Sequence, residues 1–521
     1  MQRAAVRQTL LGALLLVAVG GFLFGVGLGH YPLLDPDEGR HAEVARELLE
    51  GEGTARFFLP TLEGKPYQEK PPAFYWLVAL AYRLGGVGEA AARAPSALAA
   101  LATVLAVYGF SVGALGIQEA FASSLVLATS LGFATLARFV NLDMTLTACV
   151  TLGVLAGRVW LDRPSPRRPP LLPYVAAALG TLVKGPVALL LVGGPLVLAA
   201  LARSERPPWR AWGLLRGVLI VAAILLVAYG PIAFFDPSYL RHLLHTNLRR
   251  FGPHAPHHAP VYYYAIWLPL IFFPWTLIAA PTLLRAAHDL RRRELLWWAG
   301  FVVVLFSIAR GKLATYVLPA LPPLALAAGP ALAAPLRADF AWLRAVGWML
   351  AALLGAVCGG AFVPATLLPL TWGSRVLIVA GFGAAAAALA WVLRDERIEL
   401  VPPLAAGIVA AVYLITVWAV APAFGKLFSD RDAAVLVNGV GQVPVIAFAA
   451  RAPSMVFYTR TPVIHTDQLA TARDLFAHDQ PAFLITGHRH FAEVEQTLAA
   501  RVHLWHATRR RRLYANVPRP W

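Results

Sequence analysis

Apolar runs of about 17–25 residues recur along this chain, and each is long enough to cross a hydrocarbon core of about 30 Å. That recurrence constrains the fold more than any single motif does. The 521 residues are 58% hydrophobic and 14% charged, a balance that a soluble domain rarely reaches. Spans are expected at 9–30, 96–115, 119–137, 142–161, 171–183, 186–203, 211–235, 261–284, 294–309, 313–333, 341–366, 375–394 and 400–421. The run at 73–84 is short for a crossing, and charge arbitrates. Arg163, Arg167 and Arg168 lie in one connector, and Arg203, Arg206 and Arg210 in another. Arg285 and Arg291 to Arg293 lie in a third, and Arg394 and Arg397 in a fourth. With the N-terminus inside, all four are cytoplasmic provided that 73–84 does not cross. The expected fold is a polytopic α-helical membrane protein of about thirteen spans, with 73–84 as an interfacial helix.

The first run follows Arg3 and Arg7 but is long for a signal core and lacks a small-residue cleavage site. It is expected to be an uncleaved first helix. Cys149 and Cys358 both fall inside apolar runs, which excludes a disulfide framework. The net charge of +17 fits cytoplasmic loops and anionic lipid better than nucleic acid. Composition changes near residue 421. Residues 1–421 are expected to form the membrane domain, with a large first outer loop at 31–95. Residues 422–521 are expected to form a small α/β domain on the same non-cytoplasmic side. Its strands are expected near Val443 and Ala482, and its helices at 467–478 and 490–501.

Charged residues outside the arginine connectors gather at the outer face. The sequence Asp35-Pro36-Asp37-Glu38-Gly39-Arg40-His41-Ala42-Glu43 follows the first span and starts an amphipathic helix expected to lie on the membrane. Asp37 and Glu38 stand in its first turn, where they either stabilise the helix end or serve chemistry. Glu69-Lys70-Pro71-Pro72 projects a lysine from a rigid corner, and snorkelling is its plain alternative. Asp143 begins a span, as a cap or a site carboxylate. Arg249 and Arg250 lie in an outer loop, against the positive-inside bias, which suggests local use on a phosphate. Arg310-Gly311-Lys312 and Tyr316 interrupt two apolar runs. Such charges beside a bilayer are costly unless they bind something charged. His254, His257 and His258 have a loosely metal-like spacing. Prolines 253, 256 and 260 and the lack of a companion carboxylate favour a structural reading.

Taken in order, these motifs resemble the polyprenyl-phosphate-sugar-dependent membrane glycosyltransferases of GT-C type. The resemblance is to the bacterial lipid A aminoarabinose transferases and to the related protein O-mannosyltransferases. It runs from the Asp35 motif and Glu69-Lys70-Pro71-Pro72-Ala73-Phe74-Tyr75-Trp76 through Asn141-Leu142-Asp143 and Val183-Lys184-Gly185-Pro186. It continues through Arg249-Arg250-Phe251, Phe273-Pro274-Trp275 and Phe306 to Pro319, covering about residues 9–330. Gly39 and His41 depart from the hydroxylated residue and tyrosine usual in the aminoarabinose enzymes. The resemblance implies Asp37, with Asp143, as catalytic carboxylate. It implies Lys70, Arg250, Lys312 and Tyr316 as ligands of the carrier phosphate, with Glu38, Arg40 and Glu69 in support. A divalent cation near Glu69 is compatible with the motif, and the sequence establishes no cofactor.

The expected reaction moves a sugar from undecaprenyl phosphate, or a related polyprenyl phosphate, to a lipid A-like acceptor at the periplasmic face of a bacterial inner membrane. A protein acceptor is the alternative on the same fold. From another class, a lipid-linked-sugar flippase would also need many spans. It would usually show internal repeats and mid-span charges, whereas here the charges gather at one face. A structural scaffold would leave the cluster without a purpose.

Overall fold

The computed structural model describes residues 2–51, 53, 57–163, 169–203, 208–252, 255–364, 367–459, 461–476, 480–498 and 502–519. Among them, eight helices are long and apolar enough to cross a membrane: Arg3–Gly25, Glu89–Leu115, Leu142–Leu161, Arg210–Phe235, Ala314–Ala333, Arg337–Gly360, Trp372–Arg394 and Ile398–Phe428. Shorter apolar helices occupy Ile117–Ala128, Leu171–Lys184 and Val187–Leu201. The polytopic helical architecture is as expected, whereas several of the expected spans are not continuous helices. The segment at 261–284 folds as Tyr263–Ile271, Trp275–Ile278 and Ala280–Ala286. Pro274 and Pro281 stand at the starts of its second and third pieces, where the missing N–H costs no helical bond. The segment at 119–137 breaks between Ala128 and Leu131.

The run at 73–84 is the helix Ala73–Gly85, 13 residues long. At 1.5 Å per residue it covers about 20 Å, less than a hydrocarbon core. It packs on the helix Asp37–Glu50 and on Glu89–Leu115. Asp37–Glu50 buries Ala42, Val44, Ala45 and Leu48. Its neighbours are Ala73–Gly85 on one side and the C-terminal helix Pro453–Tyr458 on another, so protein covers faces that the sequence alone assigned to the membrane surface. Gly39 makes the second contact: a Cβ there would lie 2.6 Å from the Ser454 backbone nitrogen. A larger residue at that position would push the two helices apart.

A buried ion pair holds the helix start. Arg93 and Glu38 have side-chain exposures of 0% and 2%. Arg93 Nε and Nη2 each lie 2.8 Å from a Glu38 carboxylate oxygen, while its remaining donors bind the carbonyls of Leu28, Tyr31 and Pro32 at 2.9 Å. Glu38 also accepts the backbone N–H groups of Leu34 and Val140 at 3.0 Å. Arg138 repeats the device one turn of chain earlier, donating to the carbonyls of Leu23 and Val26 where the first helix ends. Glu38 therefore does not support the site as a lining residue. It ties the first span, the motif loop and two later helices together, and leaves Asp37 on the other side of the backbone.

The C-terminal residues form a five-stranded sheet of order β4-β3-β5-β7-β6. Its strands are β3 (Val445–Phe448), β4 (Val463–Thr466), β5 (Phe483–Gly487), β6 (His503–Ala507) and β7 (Arg511–Ala515); β1 (Thr61–Leu62) and β2 (Lys65–Pro66) make a small hairpin in the first loop. The strands β4, β3 and β5 are parallel; β3 and nearly all of β5 are buried, as helices on the faces require, while the edge strand β4 is partly exposed. The last hairpin, β6–β7, reads His-Leu-Trp-His-Ala and Arg-Arg-Leu-Tyr-Ala, without a strict polar–apolar alternation, and was not legible as strand in the sequence.

Removing one partner of a buried ion pair strands the other, at a cost of about 3–5 kcal/mol. Glu38→Gln should therefore lower the thermal midpoint of the purified protein and its yield more than Asp37→Asn does. Fluorescence-detected size-exclusion chromatography after heating checks this order. Equal midpoints would mean that Glu38 is dispensable to the fold.

Candidate active site

Asp37 and Arg40 lie one turn apart on the same helix face and pair at 2.5 Å. Asp37 is 62% exposed, so the pair faces open space above the helix. Arg40 also reaches Glu69, at 3.9 Å. Lys70 follows, and its backbone carbonyl accepts the Tyr239 hydroxyl at 2.7 Å. That bond fastens the Glu69–Pro72 corner to the segment 239–251 that carries Arg250. Beneath Arg40, His41 is buried and its Nδ1 shares a hydrogen bond of 2.9 Å with the Tyr75 hydroxyl. Burial, with Arg40, Lys70 and Lys184 nearby, holds His41 well below the ordinary histidine range, so it is neutral here.

Tyr316 is the platform of the basic side. The Lys184 ammonium stands 4.2 Å above its ring centre and the Arg250 guanidinium 5.3 Å from it. Asp143, at the start of the helix Leu142–Leu161, is paired with Lys184, and both are buried. Asp37 and Asp143 both act electrostatically on Lys184 and Tyr316, which places the first-loop motif and the later helices around one site. Burial first, then Arg250, Lys184 and Arg40, push Lys70 down to about 7, against the opposing pull of Glu69.

Of the residues expected in the site, Asp37, Arg40, Glu69, Lys70, Asp143, Arg250 and Tyr316 come together. Lys312 is a correction. Its ammonium donates to the carbonyls of Ala259, at 3.1 Å, and of Ala309, and its side chain is buried. A cation already spent on two carbonyls is unsuited to a phosphate. It braces the segment where Arg310 and Gly311 donate to the Arg250 carbonyl at 3.0 Å. His257 and His258 serve the same junction through their backbones: the His257 carbonyl accepts Lys312 N–H, and His258 bridges Gly311. His254 lies outside the described residues. Among the described residues no group of three or more His, Cys, Asp or Glu side chains is arranged to hold a metal ion. Lys184 was overlooked as a site residue. Its signal was a single lysine ending an apolar helix, before Gly185 and Pro186, at the depth of Asp143.

Comparison with known proteins follows this geometry. A family model described as dolichyl-phosphate-mannose-protein mannosyltransferase matches residues 69–229. The undecaprenyl phosphate-alpha-4-amino-4-deoxy-L-arabinose arabinosyl transferase of Pseudomonas aeruginosa strain UCBPP-PA14 is 32% identical over 343 residues, covering 64% of this chain and 61% of that protein. The second such transferase of Pseudomonas fluorescens strain Pf-5 is 33% identical over 339 residues, covering 61% and 55%. The chain thus matches between 55% and 61% of the length of these two curated relatives. The crystal structure of ArnT from Cupriavidus metallidurans bound to undecaprenyl phosphate superposes with a TM-score of 0.80 at 23% identity, covering 97% of this chain and 98% of that one. The chain has the ArnT fold. The GT-C resemblance carried by the motifs is borne out, and the ArnT fold accounts for the membrane helices and the C-terminal sheet alike.

Within this ArnT fold, Asp35 belongs to domain docking instead of the site. Its carboxyl accepts the Ser454 N–H at 2.8 Å and the Ser454 hydroxyl at 2.7 Å. Burial, then the neighbouring Asp430, push it up to about 8 against those bonds and Arg511. Asp430 is buried and raised too, facing Arg511, Arg510 and His506. Free aspartate titrates near 4, so the folded state holds a proton that the unfolded chain releases. Stability from Asp35 is full below about pH 4 and is lost as pH rises to about 8. Between pH 5 and 9 the thermal midpoint of the wild type should fall relative to that of Asp35→Asn as pH rises. A difference between the two that does not change with pH would remove Asp35 as its source.

Proposed function

We propose that this chain is a membrane glycosyltransferase that moves a sugar from a polyprenyl phosphate, with undecaprenyl phosphate the foremost candidate, to an acceptor at the outer face of the membrane. One observation carries the reading: Lys70, Lys184 and Arg250 converge beside Tyr316, with exposed Asp37 across from them. In such a transfer the bond between the anomeric carbon and the carrier oxygen breaks, and the phosphate leaves with the electron pair. Fixed cations around that phosphate stabilise the charge as it develops. Asp37 takes the proton of an attacking hydroxyl, or positions an acceptor that is already anionic. Asp143 pairs with Lys184 and holds it in place.

The relatives from Pseudomonas are named for undecaprenyl phosphate-linked aminoarabinose, which supports the donor class, and the motif resemblance to lipid A aminoarabinose transferases favours a lipid A-like acceptor. The description of the family model, a protein mannosyltransferase, supports a protein acceptor as the second reading. A flippase is less well supported, since the buried cations sit at one end of the helices.

A transfer assay with purified chain and a labelled polyprenyl-phosphate sugar separates the roles. Asp37→Asn should lower turnover by at least about a hundredfold while donor binding stays near wild type. Lys70→Ala should weaken donor binding by roughly ten- to a hundredfold, from a charge-assisted contact of about 1.5–3 kcal/mol. An anion raises the lysine, so binding takes up a proton. Affinity should fall as pH rises above about 7, by up to about tenfold per unit. Wild-type binding by Lys70→Ala, or normal turnover by Asp37→Asn, would sink the assignment.

We place the site, the first loop and the C-terminal sheet domain in the periplasm of a bacterial inner membrane, with 285–293 in the cytoplasm. Cysteines introduced at positions 63 and 290 test this in intact cells. An impermeant thiol reagent should label the first and spare the second; the reverse would overturn the sidedness.

A further inference from the structure

The turn between β6 and β7 is a basic tip held at the end of the last membrane helix. Thr508 closes it: its N–H donates to the Arg511 carbonyl at 2.7 Å, and its hydroxyl accepts the N–H groups of Arg510 and Arg511 at 3.3 and 2.9 Å. The closed turn leaves Arg509 and Arg510 exposed. The His488 N–H donates to the Arg510 carbonyl at 3.1 Å, which sets exposed Arg489 beside the tip. The Arg510 guanidinium lies 4.6 Å from the centre of the Phe428 ring, the last residue of the helix Ile398–Phe428. Lys426 is exposed on the same helix.

The height of this tip follows from helix geometry. Val401 to Trp418 covers about 26 Å, so exposed Trp418 falls near the far edge of the hydrocarbon, where tryptophan is favoured. Lys426 and Phe428 lie a further 12–15 Å along, by roughly 1.5 Å per residue, at the level of lipid headgroups. Exposed Phe424 stacks on Phe428 and gives this end an apolar side. The face is the one that holds the Asp35 motif, because the Asp35 N–H donates to the Phe428 carbonyl at 2.7 Å. Nearby cations are otherwise occupied: Arg512 pairs with Glu495, Arg511 approaches buried Asp430 at 3.8 Å, and His490 pairs with Glu493. Arg489, Arg509, Arg510 and Lys426 have no carboxylate within ion-pair distance among the described residues.

We propose that Arg489, Arg509, Arg510 and Lys426 bind the phosphate of an anionic phospholipid headgroup in the leaflet that faces the candidate active site. Planar guanidiniums suit phosphate oxygens, and each cation near an anionic surface adds to the attraction. The bound lipid would pin the C-terminal sheet over the site from its membrane side.

The test uses the full chain in detergent micelles. Native mass spectrometry follows titration with phosphatidylglycerol, with phosphatidylcholine, and with phosphatidylglycerol in the presence of excess inorganic phosphate. The double variant Arg489→Gln/Arg509→Gln removes two exposed side chains that the interior does not use. It should lose one bound phosphatidylglycerol, or bind it roughly tenfold more weakly, with phosphatidylcholine uptake unchanged. Arg489→Lys/Arg509→Lys should keep most of the preference and controls for folding. Three results would overturn the proposal: equal phosphatidylglycerol binding by wild type and the glutamine variant, equal affinity for the two lipids, or displacement by inorganic phosphate, which would make this a site for a free anion.

Discussion

The buried pair of Glu38 and Arg93 is the constraint on which the rest of the arrangement depends. A guanidinium in the interior is tolerable when its donors are all used, and here a carboxylate and three carbonyls use them. Those three carbonyls belong to the chain leaving the first span, and the carboxylate belongs to the next helix. The pair therefore fixes the angle at which the helix Asp37–Glu50 departs from the membrane. Asp37 is its immediate neighbour in sequence, turned outward because Glu38 is turned inward. The position of Asp37, the carboxylate proposed for catalysis, is set by the structural carboxylate beside it.

The same helix is fixed from above. Gly39 admits the Ser454 backbone to within 2.6 Å of where a Cβ would lie, and Asp35 binds Ser454. The motif Asp35 to Glu43 thus divides its labour by residue: Asp35 and Gly39 meet the C-terminal sheet domain, Glu38 meets the membrane helices, and Asp37 and Arg40 remain for the site. The departures at Gly39 and His41 fit this division. Gly39 buys close packing, and His41 is a neutral, buried partner of Tyr75.

Much of this was legible in the sequence. Apolar run length gave the polytopic helical architecture, and the short run at 73–84 forms the 13-residue helix Ala73–Gly85. The charges that break apolar runs led to Asp37, Lys70, Asp143, Arg250 and Tyr316, which the fold brings together. What escaped was direction. A sequence does not say that Glu38 points inward, or that Lys312 spends its ammonium on the carbonyls of Ala259 and Ala309. Arg93 carried a readable signal, since an arginine at the start of a long apolar helix must find partners. The β6–β7 hairpin was hidden because neither strand alternates polar and apolar residues; its register comes from the pairing of β7 with β5 and of β6 with β7.

The central claim is that a carrier phosphate occupies the cluster of Lys70, Lys184 and Arg250 and that its sugar leaves from there. The most direct measurement is lipid and glycan mass spectrometry of cells with and without this chain. The account predicts that one polyprenyl-phosphate sugar accumulates when the chain is removed, while one glycosylated lipid or protein disappears. Restoring the wild-type chain should reverse both changes. Identical profiles with and without the chain, in cells that make polyprenyl-phosphate sugars, would contradict it.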